Sequence, residues 1–145
     1  MPALSTHLTV RGARAAIDFY VKAFGAEALF ELIDPADGRI GHAELSIGGA
    51  RLMISDEYPD FGALSPEALG GSPVKLHLYV EDAETVFARA LALGATELRP
   101  VKEQFYGDRS GMLADPGGHH WFIATKGAEV SPAEMQARWN AAMAG

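Results

Sequence analysis

A segment near the N-terminus returns about seventy residues later. His7–Val10 reads HLTV and His77–Val80 reads HLYV, an offset of 70. FGAEAL at Phe24–Leu29 returns as LGATEL at Leu93–Leu98, and Gly48-Gly49 returns as Gly117-Gly118, both at an offset of 69. Each Gly-Gly pair precedes an apolar run, ARLMIS or HHWFIA. Three matches at offsets of 69 and 70 make the chain two copies of one unit. At 145 residues, two such units share one domain with a real core.

The pattern inside each copy defines the unit. Alternating runs at Leu4–Val10 and Val74–Val80 predict strands. Ala16, Ile17, Tyr20, Val21 and Phe24 recur at helical spacing and predict a helix near Ala13–Phe24. Val86, Phe87, Ala90 and Leu91 predict its counterpart from about Ala83. Gly25 and Gly94 suit left-handed caps at the two helix ends. DPADG at Asp34–Gly38 and DPGG at Asp115–Gly118 are turns between short strands. Each unit is therefore βαβββ. The first copy spans about residues 3–56 and the second about 74–126. Residues 57–73 form a Pro- and Gly-rich connection with one helical turn at Ser65–Leu69. A tail, 127–145, carries a last helix, where SPAE from Ser131 supplies an N-cap, a first-turn Pro and a Glu three residues on.

Charge and composition narrow the function. Net charge is −7 with no basic run, which argues against nucleic acid and anionic membranes as partners. No apolar stretch approaches the roughly 18 residues of a membrane span. No charged segment followed by an apolar run marks Met1–Val10 as a secretion signal, so the expected location is cytoplasmic. The absence of cysteine removes disulfides, thiolate nucleophiles and thiolate metal sites. No GxSxG elbow, P-loop or HExxH motif is present.

Two βαβββ units, IDFY on the first helix and DPGG before the last strand resemble the vicinal oxygen chelate superfamily, the glyoxalase, bleomycin-resistance and dioxygenase group. The resemblance runs from about Leu4 to Ala124, and GGSPVKLHLYVED, QFYGDRSG and SPAEM are similar to its PhnB-like branch. It implies an α+β fold: a curved mixed sheet around a concave pocket, with helices on the outer face. It also implies a homodimer, and Met135, Trp139 and Met143 form one helical stripe for either a subunit boundary or packing on the same chain. Enzymes of the superfamily hold a divalent metal through the first and fourth strands of each unit. Those four positions fall on Ser5, Met53, Lys75 and Phe122, none an ordinary ligand for a catalytic metal.

Period-2 alternation predicts which side chains share the pocket face. Ser5, His7 and Thr9 go together, as do His42, Glu44 and Ser46; Arg51, Met53 and Ser55; Lys75, His77 and Tyr79; and His120 with Phe122 and Ala124. Leu4, Leu8, Val10, Val74, Leu76, Leu78 and Val80 then face the core. His119 and His120, adjacent on a strand, point to opposite faces. In QFYGDRSG, Asp108 either holds Arg109 or caps the turn within a tight loop, or Phe105 and Tyr106 close the pocket mouth while Arg109 takes an acidic group. The expected ligand-binding set is Ser5, His7, Met53, Ser55, Lys75, His77, Tyr79, Phe105, Tyr106, Arg109, His120 and Phe122. It suits a small organic molecule, acidic or aromatic, bound without a cofactor. The alternative is a lyase or dioxygenase-type enzyme. It would use His7 or His77 as acid or base, or a relocated metal on His7, Glu44 and His77.

Overall fold

A computed structural model describes residues 3–145. The first unit comprises strand β1 (Thr6–Val10), helix α1 (Ala13–Phe24) and strands β2 (Glu27–Ile33), β3 (Ile40–Ile47) and β4 (Ala50–Asp56). After the short helix α2 (Pro66–Leu69), the second unit repeats the order: β5 (Lys75–Tyr79), α3 (Ala83–Ala92), β6 (Thr96–Glu103), β7 (Arg109–Ala114) and β8 (His120–Thr125). Helix α4 (Pro132–Ala144) ends the chain. Each unit makes its own four-stranded mixed sheet, ordered β1-β4-β3-β2 and β5-β8-β7-β6. The first strand of each runs parallel to the last, and the other neighbours are antiparallel. The α+β fold of two βαβββ repeats is as the sequence implied, with the strands in two open mixed sheets.

Local chemistry explains the elements. Gly25, at φ 71°, ends α1, and its amide donates to the Tyr20 carbonyl in the left-handed cap the sequence predicted. Helix α3 differs: Leu93 caps it at φ −95°, and Gly94 takes its positive φ one residue later. Ser131 caps α4 through its side-chain oxygen, as its motif required, and Ser65 caps α2 in the same way. No helix among the described residues is long and apolar enough to cross a membrane.

One core joins the units. Leu8, Val10, Leu45, Leu52 and Ile54 pack with Tyr20 and Phe24 of α1, and Leu113, Trp121 and Ile123 enter from the second sheet. Trp121 lies against both Phe24 (4.8 Å between ring centroids) and Tyr20 (5.4 Å). Asp115, buried in the DPGG turn, accepts from the Tyr20 hydroxyl, from Trp121 Nε1 (2.9 Å) and from the amides of Gly117 and His119. A buried carboxylate needs such a set of donors. Two expected core residues lie outside. Leu4 is 87% exposed and Val74 is 58% exposed, because β1 begins at Thr6 and β5 at Lys75, so neither residue belongs to a ladder.

Candidate functional site

The face of each sheet turned away from the core carries the polar residues. In the first unit, pairing sets His7 opposite Met53, Met53 opposite Glu44 and Glu44 opposite Phe30. His42 Nε2 lies 2.9 Å from Glu44, and the Arg51 guanidinium donates to the other Glu44 oxygen. Both hydrogen bonds favour the carboxylate, His42 first and then Arg51, and hold its pKa below the usual value. The His42 ring sits between His7 and Phe30, each with its centroid 6.0 Å away. Burial, and next the nearby His42, lower the His7 pKa and favour the neutral ring. Ser55 is buried opposite Thr9, and half-buried Ser5 precedes β1.

In the second unit, β6, β7, β8 and the β6–β7 turn enclose a cavity of about 360 Å³. Arg99, Lys102, Phe105, Tyr106, Met112 and Phe122 are among its lining. No Asp or Glu lines it, and neither Arg99 nor Lys102 has a carboxylate partner among the described residues. Phe105 and Tyr106 meet edge to face at 5.1 Å, and the Tyr106 hydroxyl lies 3.1 Å from Ser110 Oγ. Helix α4 backs this wall: Trp139 packs on Phe105 at 5.5 Å, and Arg138 donates to the Phe105 carbonyl.

The two cations reach the same cavity because β6 is irregular. Arg99 pairs with Met112 and Lys102 with Ser110, so three steps along β6 match two along β7. Strict alternation would send Arg99 and Lys102 to opposite faces; an extra residue brings them back to one. Pro100, which has no N–H for the ladder, sits within the irregular stretch. Gly111 lies across from it. A Cβ there would stand 2.9 Å from the Val101 nitrogen and 3.0 Å from the Arg99 carbonyl. Sequence reasoning missed Arg99, Lys102, Gln104, Ser110 and Met112; for Arg99 and Lys102, RPVK broken by a proline was the available signal.

A second cavity, about 290 Å³, opens at the seam between the units. Thr6 and Arg51 line it from the first unit, and Lys75, His77 and Trp121 from the second. The His77 ring lies between Tyr79 (4.8 Å) and Phe122 (5.4 Å). The one pocket expected from sequence is thus divided: Phe105, Tyr106 and Phe122 line the β6–β8 cavity, Lys75 and His77 the seam.

Other expected residues have their own partners. The Tyr79 hydroxyl donates to Asp108 (2.8 Å), and that carboxylate, followed by burial, raises the Tyr79 pKa. Asp108 therefore does not hold Arg109. The Arg109 guanidinium turns to Glu84 on α3 instead, away from both cavities. His120 is half-buried opposite Lys75, whereas His119 reaches the Thr9 carbonyl at 3.0 Å, so the adjacent histidines part as alternation requires. His7 and Glu44 belong to the first sheet's cluster and His77 to the second's. Among the described residues no three His, Cys, Asp or Glu side chains gather as a metal-ligand group, and the relocated trio does not converge.

The chain resembles known proteins along nearly all of its length. Residues 4–123 match the model of the Glyoxalase/Bleomycin resistance protein/Dioxygenase superfamily. The uncharacterized protein Mb0911c of Mycobacterium bovis is 46% identical over 139 residues, 94% of this chain and 91% of the relative. Rv0887c of Mycobacterium tuberculosis, also uncharacterized, is 46% identical and covered to 81%. Among solved structures, TioX from Micromonospora sp. ML1 superposes with a TM-score of 0.64 at 25% identity, covering 90% of this chain and 100% of that one. A Bacillus cereus PhnB protein, described as a putative 3-demethylubiquinone-9 3-methyltransferase, gives a TM-score of 0.68 at 22% identity, over 86% and 99% of the two chains. That last likeness is one of fold.

Proposed function

We propose, for a chain that belongs to the Glyoxalase/Bleomycin resistance protein/Dioxygenase superfamily, that the β6–β8 cavity binds a small aromatic acid without metal chemistry. The observation that carries this reading is the pairing of two cations without carboxylate partners among the described residues, Arg99 and Lys102, with the ring walls of Phe105, Tyr106 and Phe122. A flat apolar body suits a cavity walled by rings, and a carboxylate on it suits the guanidinium and ammonium. The chain is acidic overall, but a cavity free of Asp and Glu keeps its local positive character. The superfamily's metal does not fit the residues at its positions. Ser5 precedes the ladder, Met53 offers a soft thioether, Lys75 carries positive charge and Phe122 offers a ring. No step of the proposed function passes through a metal.

The test is calorimetric titration of purified, tag-free protein with benzoate, 4-hydroxybenzoate and 1-naphthoate, alongside elemental analysis for zinc, iron, manganese and nickel. Saturable binding that weakens tenfold or more in an Arg99→Ala, Lys102→Ala double variant is the expected result. No binding, binding indifferent to both substitutions, or stoichiometric metal would overturn it.

A homodimer belongs to the same reading. It is supported by α4, where Trp139 is 46% and Met143 64% exposed on one stripe. Light scattering at micromolar concentration tests it, and a monomer would remove it. The enzymatic alternative keeps one supporting observation: His7, held toward its neutral form beside His42, is in the protonation state of a base. Full retention of any activity found in a His7→Ala, His77→Ala variant would exclude that alternative.

A further inference from the structure

The repeat makes two seams between the units, and among the described residues they differ at one position. On one side the β7–β8 turn meets the free edge of β1. There His119 reaches the Thr9 carbonyl at 3.0 Å, and a Cβ on Gly117 would come within 3.2 Å of Val10. On the other side the β3–β4 turn meets the free edge of β5, where a Cβ on Gly48 would touch Leu78 at 3.4 Å. The registered Gly-Gly pairs show that Ala50 stands where the second unit has His119. A methyl group stands in place of an imidazole, and Ala50 lines the seam cavity of about 290 Å³.

Its lining is amphipathic. Ile47, Leu52, Leu76, Leu78 and Trp121 supply apolar wall, and Arg51, Lys75 and His77 supply polar groups, with no acid among the lining residues. Arg51 is committed to Glu44, so its charge is largely matched. Lys75 has no carboxylate partner among the described residues. Exposed His77, stacked between rings, keeps its imidazole nitrogens as hydrogen-bonding groups. One unmatched ammonium beside an apolar wall suits one carboxylate on a short aliphatic body.

We infer that the seam between the two repeats is a second binding site, for a small aliphatic monocarboxylate held by Lys75 and His77 with its tail against Trp121 and Leu76. The site is separate from the aromatic-acid cavity, and the stacked pair His77–Phe122 is the partition between them. It does not depend on the proposed function, since Arg99 and Lys102 take no part in it.

Trp121 is its natural reporter. The chain has two tryptophans, so Trp139→Phe leaves Trp121 as the single emitter. Hexanoate is titrated into this variant, following emission and, in parallel, heat. The expected result is saturable binding with a change in Trp121 emission. Lys75→Ala weakens it tenfold or more, while Lys75→Arg restores most of it. Ala50→His, which copies the other seam, abolishes it. Arg99→Ala with Lys102→Ala leaves it within twofold. The inference is overturned if hexanoate does not bind, if binding survives both Lys75→Ala and Ala50→His, or if it disappears with Arg99 and Lys102. The last outcome would mean that the acid sits in the other cavity.

Discussion

His77 lies against Phe122 with ring centroids 5.4 Å apart and planes 28° from parallel, and each ring faces a different cavity. The pair holds apart two spaces with different linings. Phe122→Ala should therefore affect both. Removing the ring takes away one aromatic wall of the β6–β8 cavity and leaves His77 stacked only on Tyr79. The expected outcome is a loss of aromatic-acid affinity of roughly tenfold, about 1.4 kcal/mol, with Phe122→Leu intermediate. Calorimetry with 1-naphthoate measures it; unchanged affinity in Phe122→Ala would show that the ring is not a binding wall.

Gly111 sits where β6 carries its extra residue. A Cβ there meets backbone rather than a movable side-chain tip, at 2.9 Å from the Val101 nitrogen. Gly111→Ala must push β6 outward and disturb the register that aligns Arg99 with Lys102. The expected loss of stability is about 1–3 kcal/mol, seen as a lower denaturation midpoint. Aromatic-acid affinity should fall with it, more than for an alanine elsewhere on β7.

The fold was legible in the sequence because the repeat, the Gly25 cap and the Ser131 cap are local features with fixed geometry. The pocket was less so. Alternation correctly grouped His7 with Met53 and His77 with Phe122, since both lie on regular ladders. It was not applied to Arg99 and Lys102, and there an irregular strand breaks the period. Neither reading of QFYGDRSG gave Arg109 its observed partner, because Glu84 lies on a helix brought near only by the fold. The division of one pocket into two cavities depends on ring stacking across strands, which no linear pattern encodes.

Asp115 is the buried polar centre that ties α1 to β8. Asp115→Ala strands the Tyr20 hydroxyl and Trp121 Nε1 inside the core. Each orphaned buried donor costs about 1–3 kcal/mol, so the variant should lose roughly 2–6 kcal/mol. Asp115→Asn, which keeps an acceptor oxygen, should lose less. Tyr20 already has its pKa well above the ordinary tyrosine value, chiefly from burial and then from Asp115. Urea unfolding of the two variants distinguishes them, and equal losses would mean that packing rather than acceptor geometry sets the cost.

Glu57 fixes the connection between the units, and its ionisation gives the fold an acid limit. Its carboxylate accepts from the Ser65 amide (3.0 Å) and hydroxyl (2.8 Å) and from Arg11 Nε (2.7 Å). The Ser65 amide, then Arg11, then the Ser65 hydroxyl lower its pKa from 4.5 to about 2. A carboxylate with a depressed folded-state pKa contributes stability that is fully present above its unfolded value. That contribution fades as the pH falls from 4.5 through about 2. Glu57→Gln cannot titrate, so the slope of stability against pH should flatten in this window relative to wild type. At neutral pH the variant should be the less stable of the two, because a neutral amide holds Arg11 and Ser65 more weakly. Melting curves collected at closely spaced pH values from neutral down to 2 test both expectations. Parallel profiles for the two proteins would show that the Glu57 contacts contribute nothing to acid sensitivity.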